Sequence, residues 1–294
     1  MDIKKILAVG TAIIGTAAVA DIVSSSVVGY QNLTTRSSGN TMVAPTFSAV
    51  SLSAQLSLND LTVTGGDAPY WDDDDEEWYG GVTAGKFVLY VLNNDGSVAG
   101  QYLWEDYKKG SETSPVQVGP GWFLEGSSTP ISEADAKEIR FNQGQAFWIR
   151  GFGLQLVTAG AVTEEDITFA TRSAGNTAVG NATPVDLTLG KLTVSGGSEP
   201  YWDEDDEEWY GGITGGKFVV YVLNSDGSVA NQYLWEDYKK GTETAPVQVG
   251  PGWFLEGSST PLTTEELNAI SIPAGLGLWI RGAGASLNIP APEL

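Results

Sequence analysis

The sequence contains no cysteine and no histidine. Without cysteine there are no disulfides, no thiolate zinc sites and no thiol nucleophile. Without histidine, the Ser-His-Asp triad, the usual zinc-hydrolase ligand sets and the commonest general base are gone too. An enzyme made from this chain would have to work with carboxylates, Lys, Tyr or a Ser–Lys pair. Basic residues are also scarce: 15 Lys and Arg stand against 37 Asp and Glu, a formal net charge of -22. So acidic a chain repels phosphate backbones and anionic bilayers, which excludes nucleic acid and leaves cations or basic surfaces as counterparts. After residue 20, no apolar run approaches the ~20 residues that span a bilayer.

What is present begins with a leader. "MDIKKILAVGTAIIGTAAVA" (1–20) has a basic start at Lys4 and Lys5, an apolar stretch from Ile6, and small residues at Ala18 and Ala20. This pattern predicts a secretory signal peptide cleaved before Asp21, and hence a protein secreted or held at the cell surface with no membrane span after cleavage.

The rest of the chain is one unit written twice. "TRSSGNT" (35–41) returns as "TRSAGNT" (171–177), and residues 61–130 return at 192–261 without a gap and with 11 differences in 70 positions. All ten tryptophans pair between the copies. The reading is a first β-domain at 21–161, a linker at 162–166 and a second β-domain at 167–294. Divergence is uneven: between 131–146 and 262–277 only Ile139 and Gly144 are kept. Gene conversion explains that unevenness, and so does a duty shared by the two conserved blocks.

Alternating Val, Tyr, Trp and Phe between turn signals predicts short antiparallel strands. "KFVLYVLNNDGSVAGQYLW" (86–104) reads as a hairpin turning at Asn94-Asp95-Gly96, and 217–235 repeats it. "PVQVGPGWFLEG" (115–126) reads as two short strands broken at Gly119-Pro120-Gly121. Ser132 with Asp135, and Thr263 with Glu266, fit capping boxes that start one short helix in each copy, the first over 132–139. The fold class is therefore all-β: two tandem homologous β-sandwich or barrel-like domains, each with one short helix.

"VVGYQNLTTRSSGNTMVAPTFSAV", the "LNxDGS" hairpin and "GQAFWIR" together resemble a pattern in secreted two-repeat β-domain proteins of Verrucomicrobia and Lentisphaerae relatives. They are similar as well to β-modules of secreted Bacteroidetes proteins. The resemblance covers most of each repeat. It implies an exported β-domain and carries no catalytic residue over to this chain. The acidic insert at 72–77 lies outside the pattern.

That insert is the first candidate site. "YWDDDDEEWYGG" (70–81) and "YWDEDDEEWYGG" (201–212) set six acids between aromatic anchors. Asp72, Asp73, Asp74, Asp75, Glu76 and Glu77, with Asp203, Glu204, Asp205, Asp206, Glu207 and Glu208, are the candidate ligands of a Ca²⁺ ion, a hard cation that takes six to eight oxygens. The glycine of an EF-hand loop is missing, and a merely solvated charged loop is the plainer reading. Tyr70, Trp71, Trp78 and Tyr79, with Tyr201, Trp202, Trp209 and Tyr210, anchor the loop ends and are the candidate contacts for a glycan or a protein partner. Trp104 and Trp148 sit in apolar contexts and read as core. "LWEDYKKG" (103–110) offers Glu105 and Asp106 as carboxylates for a hydrolase. Neighbouring strand residues point to opposite faces, so these two do not pair, and the plainer reading is a surface turn. The segment after the leader is β-prone. It is either the first strand of its own sandwich or a strand given to a neighbouring molecule.

Three functions follow in order. The first is a secreted, non-enzymatic, self-associating structural protein of the cell surface, extracellular matrix or a filament. The second is a Ca²⁺-dependent carbohydrate-binding protein, and the third a carboxylate-dependent hydrolase.

Overall fold

The computed structural model describes residues 28–48, 55–172, 174–224, 226–282 and 284–293. The leader at 1–20 and residues 21–27 lie outside the described residues. The first repeat runs β1 (Val28–Thr34), β2 (Thr41–Val43), β3 (Leu56–Ser57), β4 (Leu61–Thr64), β5 (Tyr70–Asp72), β6 (Glu77–Tyr79), β7 (Val82–Leu92), β8 (Val98–Ser111), β9 (Ser114–Leu124), α1 (Glu133–Glu138), β10 (Arg140–Phe141), β11 (Phe147–Arg150) and β12 (Gln155–Ala161). The second repeats this order with β13 (Ile167–Ala170), β14 (Asn176–Gly180), β15 (Leu187–Thr188), β16 (Thr193–Gly196), β17 (Tyr201–Asp203), β18 (Glu208–Tyr210), β19 (Ile213–Leu223), β20 (Val229–Thr242), β21 (Ala245–Leu255), α2 (Thr264–Ala269), β22 (Ser271–Ile272), β23 (Gly277–Gly282) and β24 (Ala285–Ile289). No helix among the described residues is long and apolar enough to cross a membrane.

The fold is all-β, and the two repeats have the same sheet layout. A five-stranded sheet, β2-β11-β7-β8-β9, faces a three-stranded sheet, β1-β12-β4; the ribbon β3/β10 and the hairpin β5/β6 complete the repeat. Alternation explains the layering. Leu33, Val63 and Leu156 point inward from the small sheet and meet Phe87, Leu89, Phe147 and Ile149 from the large one. Each such side chain contributes roughly 1.5–3 kcal/mol on full burial. Trp104 and Trp122 pack edge to face at 5.1 Å in the same core. The Trp122 indole N–H, which cannot go unpaired inside without cost, donates to the Leu61 carbonyl at 3.0 Å.

Every sheet takes its strands from one side of residues 162–166. Two isolated bridges cross between the repeats, Val43 with Leu276 and Gln145 with Val179. Where they meet, Met42, Leu92, Ala146, Ala178 and Leu223 form a further apolar cluster, flanked by Trp148 and Trp279. Trp148 is thus only half-buried and belongs to the contact between repeats, not to the core of its own sandwich.

Local readings fare unevenly. The hairpin at 86–104 forms with its turn at Asn94-Asp95-Gly96, closed by Asn93 N–H to the Ser97 carbonyl at 2.8 Å. Residues 115–126 do not form two strands. The chain runs through as the single strand β9, which absorbs the Gly119-Pro120 irregularity in a bulge opposite Glu105 and Tyr107. The segment 103–110 is not a turn either but lies within the long strand β8. Both helices form, with Ser132 and Thr263 as N-caps. Of these two helices it is α2 that has the complete capping box, where Glu266 accepts from the Thr263 N–H at 2.8 Å. In α1 the shorter Asp135 carboxylate takes the Ser132 hydroxyl instead, at 2.6 Å. Strand β1 pairs with β12 of its own repeat from Val28 to Thr34.

Candidate functional site

The acidic segment is not a loose loop pinned at its ends. Residues 70–79 fold back as the two-stranded hairpin β5/β6, with Tyr70 opposite Tyr79, Trp71 opposite Trp78 and Asp72 opposite Glu77. The order Tyr-Trp-acid, acid-Trp-Tyr is a mirror. Folding the strand on itself therefore sets like aromatic against like, the cross-strand pairing that favours a ribbon. Successive side chains take opposite faces. The tyrosine rings stack 6.0 Å apart on one face, and the indoles meet edge to face at 5.6 Å on the other. Tyr70 is 53% and Tyr79 38% exposed, which makes the tyrosine pair the solvent-facing platform.

The turn uses its own acids. The Asp72 carboxylate accepts the backbone N–H of Asp74 at 2.9 Å and of Asp75 at 3.2 Å, so one negative side chain organises the bend. Glu76 then adopts the left-handed conformation with φ 53°. That costs a non-glycine residue roughly 1–2 kcal/mol. The Tyr79 hydroxyl donates to Asp75 at 2.9 Å. This hydrogen bond, and then the charge of Asp75, hold the phenol above its ordinary pKa and keep it a donor. Asp73, Asp74, Glu76 and Glu77 are left to solvent, with no ion pair among the described residues. The second hairpin, β17/β18, reproduces each of these contacts: Tyr201 with Tyr210, Trp202 with Trp209, Asp203 capping Asp205 and Asp206, and the Tyr210 hydroxyl on Asp206. Glu204 and Glu207 extend into solvent with Glu208.

Among the described residues, no three acids gather into a group that would hold a metal ion. A hairpin explains the spread, since side chains alternate between its faces and diverge at its tip. The twelve candidate ligands thus form two acidic rims, one at each tip.

Each hairpin packs against a long β-arm made by β8 and β9. Lys108 on the arm sets its ammonium over the Trp78 ring, 4.7 Å from the centroid, and Lys239 does the same over Trp209. The indole N–H groups of Trp78 and Trp209 are buried with no hydrogen-bond partner among the described residues. Glu105 and Asp106 lie on the arm, one to each side. Glu105 is buried at 7% exposure, and desolvation pushes its pKa up against the opposing pull of Lys109. Asp106 is half-buried and accepts from the Gln117 amide at 2.8 Å. The two carboxylates are not brought together around one point.

The sequence reading missed the face between the repeats. Its signal was there in the unequal pairs Met42/Ala178 and Ala146/Gly277, which break the repeat at buried positions. The reading also missed the stacked tyrosine pairs as a unit, although the mirror order around the acids marks a hairpin. No family model matches the chain, and neither the curated proteins nor the solved structures contain a match to it.

Proposed function

We propose that the protein is a secreted, non-enzymatic structural component of the cell surface, an extracellular matrix or a filament, and that it self-associates. The observation that carries this reading is duplication of the whole solvent-facing apparatus. One chain presents the acidic hairpin, the exposed tyrosine pair and the long arm twice, in near-identical form. Two equal surfaces on one chain make it bivalent, and bivalent units join into larger assemblies. The placement of Glu105 and Asp106 on opposite sides of the arm supports a non-enzymatic role, as does their presence in both copies. Export is supported by the leader pattern at 1–20 and by the resemblance to secreted β-modules. The test is sedimentation of the purified protein over a hundredfold concentration range. Assembly beyond one chain supports the reading, and a single species throughout refutes it.

A second reading has its own observation. Tyr70 with Tyr79, and Tyr201 with Tyr210, present ring faces beside free carboxylates, the chemistry that stacks on sugar rings and engages their hydroxyls. Under this reading the chain binds carbohydrate with Ca²⁺ bridging the acids of the rim to the sugar. A glycan array with and without Ca²⁺ decides it: retention that disappears in the Tyr70→Ala and Tyr201→Ala double variant supports it.

A further inference from the structure

The contacts between the two repeats come in reciprocal pairs. Trp279 lies against the turn at Gly96, and Trp148 lies against the equivalent turn at Gly227. Val43 bridges Leu276 while its counterpart Val179 bridges Gln145, the counterpart of Leu276. The Ala44 N–H donates to the Gly275 carbonyl at 2.9 Å, and the Gly180 N–H donates to the Gly144 carbonyl at 3.1 Å. Arg172 lies near enough to Asp95 to favour its charged form, and Arg36 does the same for Asp226. Such an interface is isologous: one surface patch meets its own counterpart across a two-fold axis. Here the axis passes between Ala44 and Gly180, where a methyl group on Gly180 would overlap that of Ala44.

The backbone is two-fold, but the buried side chains are not. On one side of the axis Met42 fills the space over Gly277, and a Cβ on Gly277 would stand 2.8 Å from Cβ of Met42. On the other side the counterparts are Ala178 and Ala146, both buried in the same cluster. One side therefore pairs large with none, and the other small with small. A first repeat docked on a copy of itself would drive Met42 against Ala146 twice and Ala44 against Ala44 at the axis. A second repeat docked on itself would set Ala178 over Gly277 twice and leave two voids. Close-packed interiors resist both errors.

We propose that this face is a docking surface coded for the opposite repeat, and that its fitting partner is the other half of this chain or of a second copy of it, never a like half. Specificity arises from repulsion against the wrong pairing as much as from attraction to the right one. Two chains joined through this face must therefore join first repeat to second, head to tail. The inference does not rest on the assembly reading. It concerns how two halves recognise each other, whether or not whole chains associate.

The test uses the full chain with a protease site introduced at residues 163–165 and cut after folding. The two halves should stay together at micromolar concentration in size-exclusion chromatography. Gly277→Ala should weaken their association at least tenfold. Adding Met42→Ala, which lies on the other half, should restore it, because the double variant copies the Ala146/Ala178 arrangement already present across the axis. Even if Gly277→Ala disturbs its own half, rescue from the partner half is explained only by docking. Tagged first halves should retain second halves and not untagged first halves. The inference is overturned if the unsubstituted halves separate on cutting, if Gly277→Ala has no effect, if Met42→Ala fails to rescue it, or if first halves capture each other as well as they capture second halves.

Discussion

Lys108 sits over the face of Trp78, its ammonium 4.7 Å from the ring centroid, and so ties an acidic hairpin to the arm beside it. The contact helps hold six like charges in place between aromatic residues. The hairpin is held by ring pairs at its base and by a cation against one of those rings, while its acids stay at the tip. Lys108→Ala should loosen residues 70–79 by about 0.5–1 kcal/mol, the usual worth of an exposed cation–π contact. Hydrogen exchange should quicken there and stay unchanged at 201–210, where Lys239 remains over Trp209.

The indole pair should carry a measurable coupling. Trp71 and Trp78 meet edge to face at 5.6 Å. A double-mutant cycle with Trp71→Leu and Trp78→Leu should return an interaction of about 0.5–1.5 kcal/mol in thermal or denaturant unfolding. Additive effects would show that the rings contribute by burial alone.

Glu105 and Glu236 give a pH dependence whose sign follows from burial. Desolvation raises both above the ordinary carboxyl value of 4.5. A raised carboxyl pKa means that the folded state holds the proton more tightly than the unfolded chain. The stabilisation is present below about pH 4.5 and is lost as pH rises through the folded value. Glu105→Gln should therefore raise the melting temperature at pH 7 and leave it nearly unchanged at pH 4. Asp95 and Asp226 act in the opposite direction. The Ser97 and Ser228 hydroxyls, followed by their backbone N–H groups, hold these carboxyls below 3.8, so their contribution is lost as acid is added below that value. Melting curves of wild type and Glu105→Gln at pH 2.5, 4, 5.5 and 7 separate the two trends.

Calcium should act between molecules more than within one. The acids diverge at each tip and gather no group of three among the described residues. We propose that Ca²⁺ bridges rims from different chains. Millimolar Ca²⁺ should then promote association, chelation should reverse it, and Asp74→Asn with Glu76→Gln should blunt the response of the first hairpin. Light scattering during a calcium titration reads it, and a flat trace in the presence of assembly would remove calcium from the account.

The sheets were legible in the sequence because apolar alternation and turn chemistry act locally. Val88 to Leu92 and Leu103 to Trp104 declare a hairpin without help from the rest of the chain. The acidic hairpin was harder to see. Six charges dominate any reading of composition, and only the mirrored aromatics, Tyr70 with Tyr79 and Trp71 with Trp78, reveal the fold-back. The long arm was hidden by proline and glycine at Gly119-Pro120-Gly121, which read as a break and are absorbed as a bulge. The face between the repeats was hidden for a different reason. Trp148 and Trp279 are apolar strand residues in either setting, and no local pattern separates a ring buried in its own sandwich from one laid against a neighbour's turn.

The central claim is that the chain is a bivalent structural unit. The most direct measurement is electron microscopy of the native material, paired with sedimentation of the purified protein as concentration rises. The account predicts chains or meshes in the native material and a mass that grows with concentration. Discrete single-chain particles in the native material, and an unchanging monomer mass in sedimentation, would contradict it.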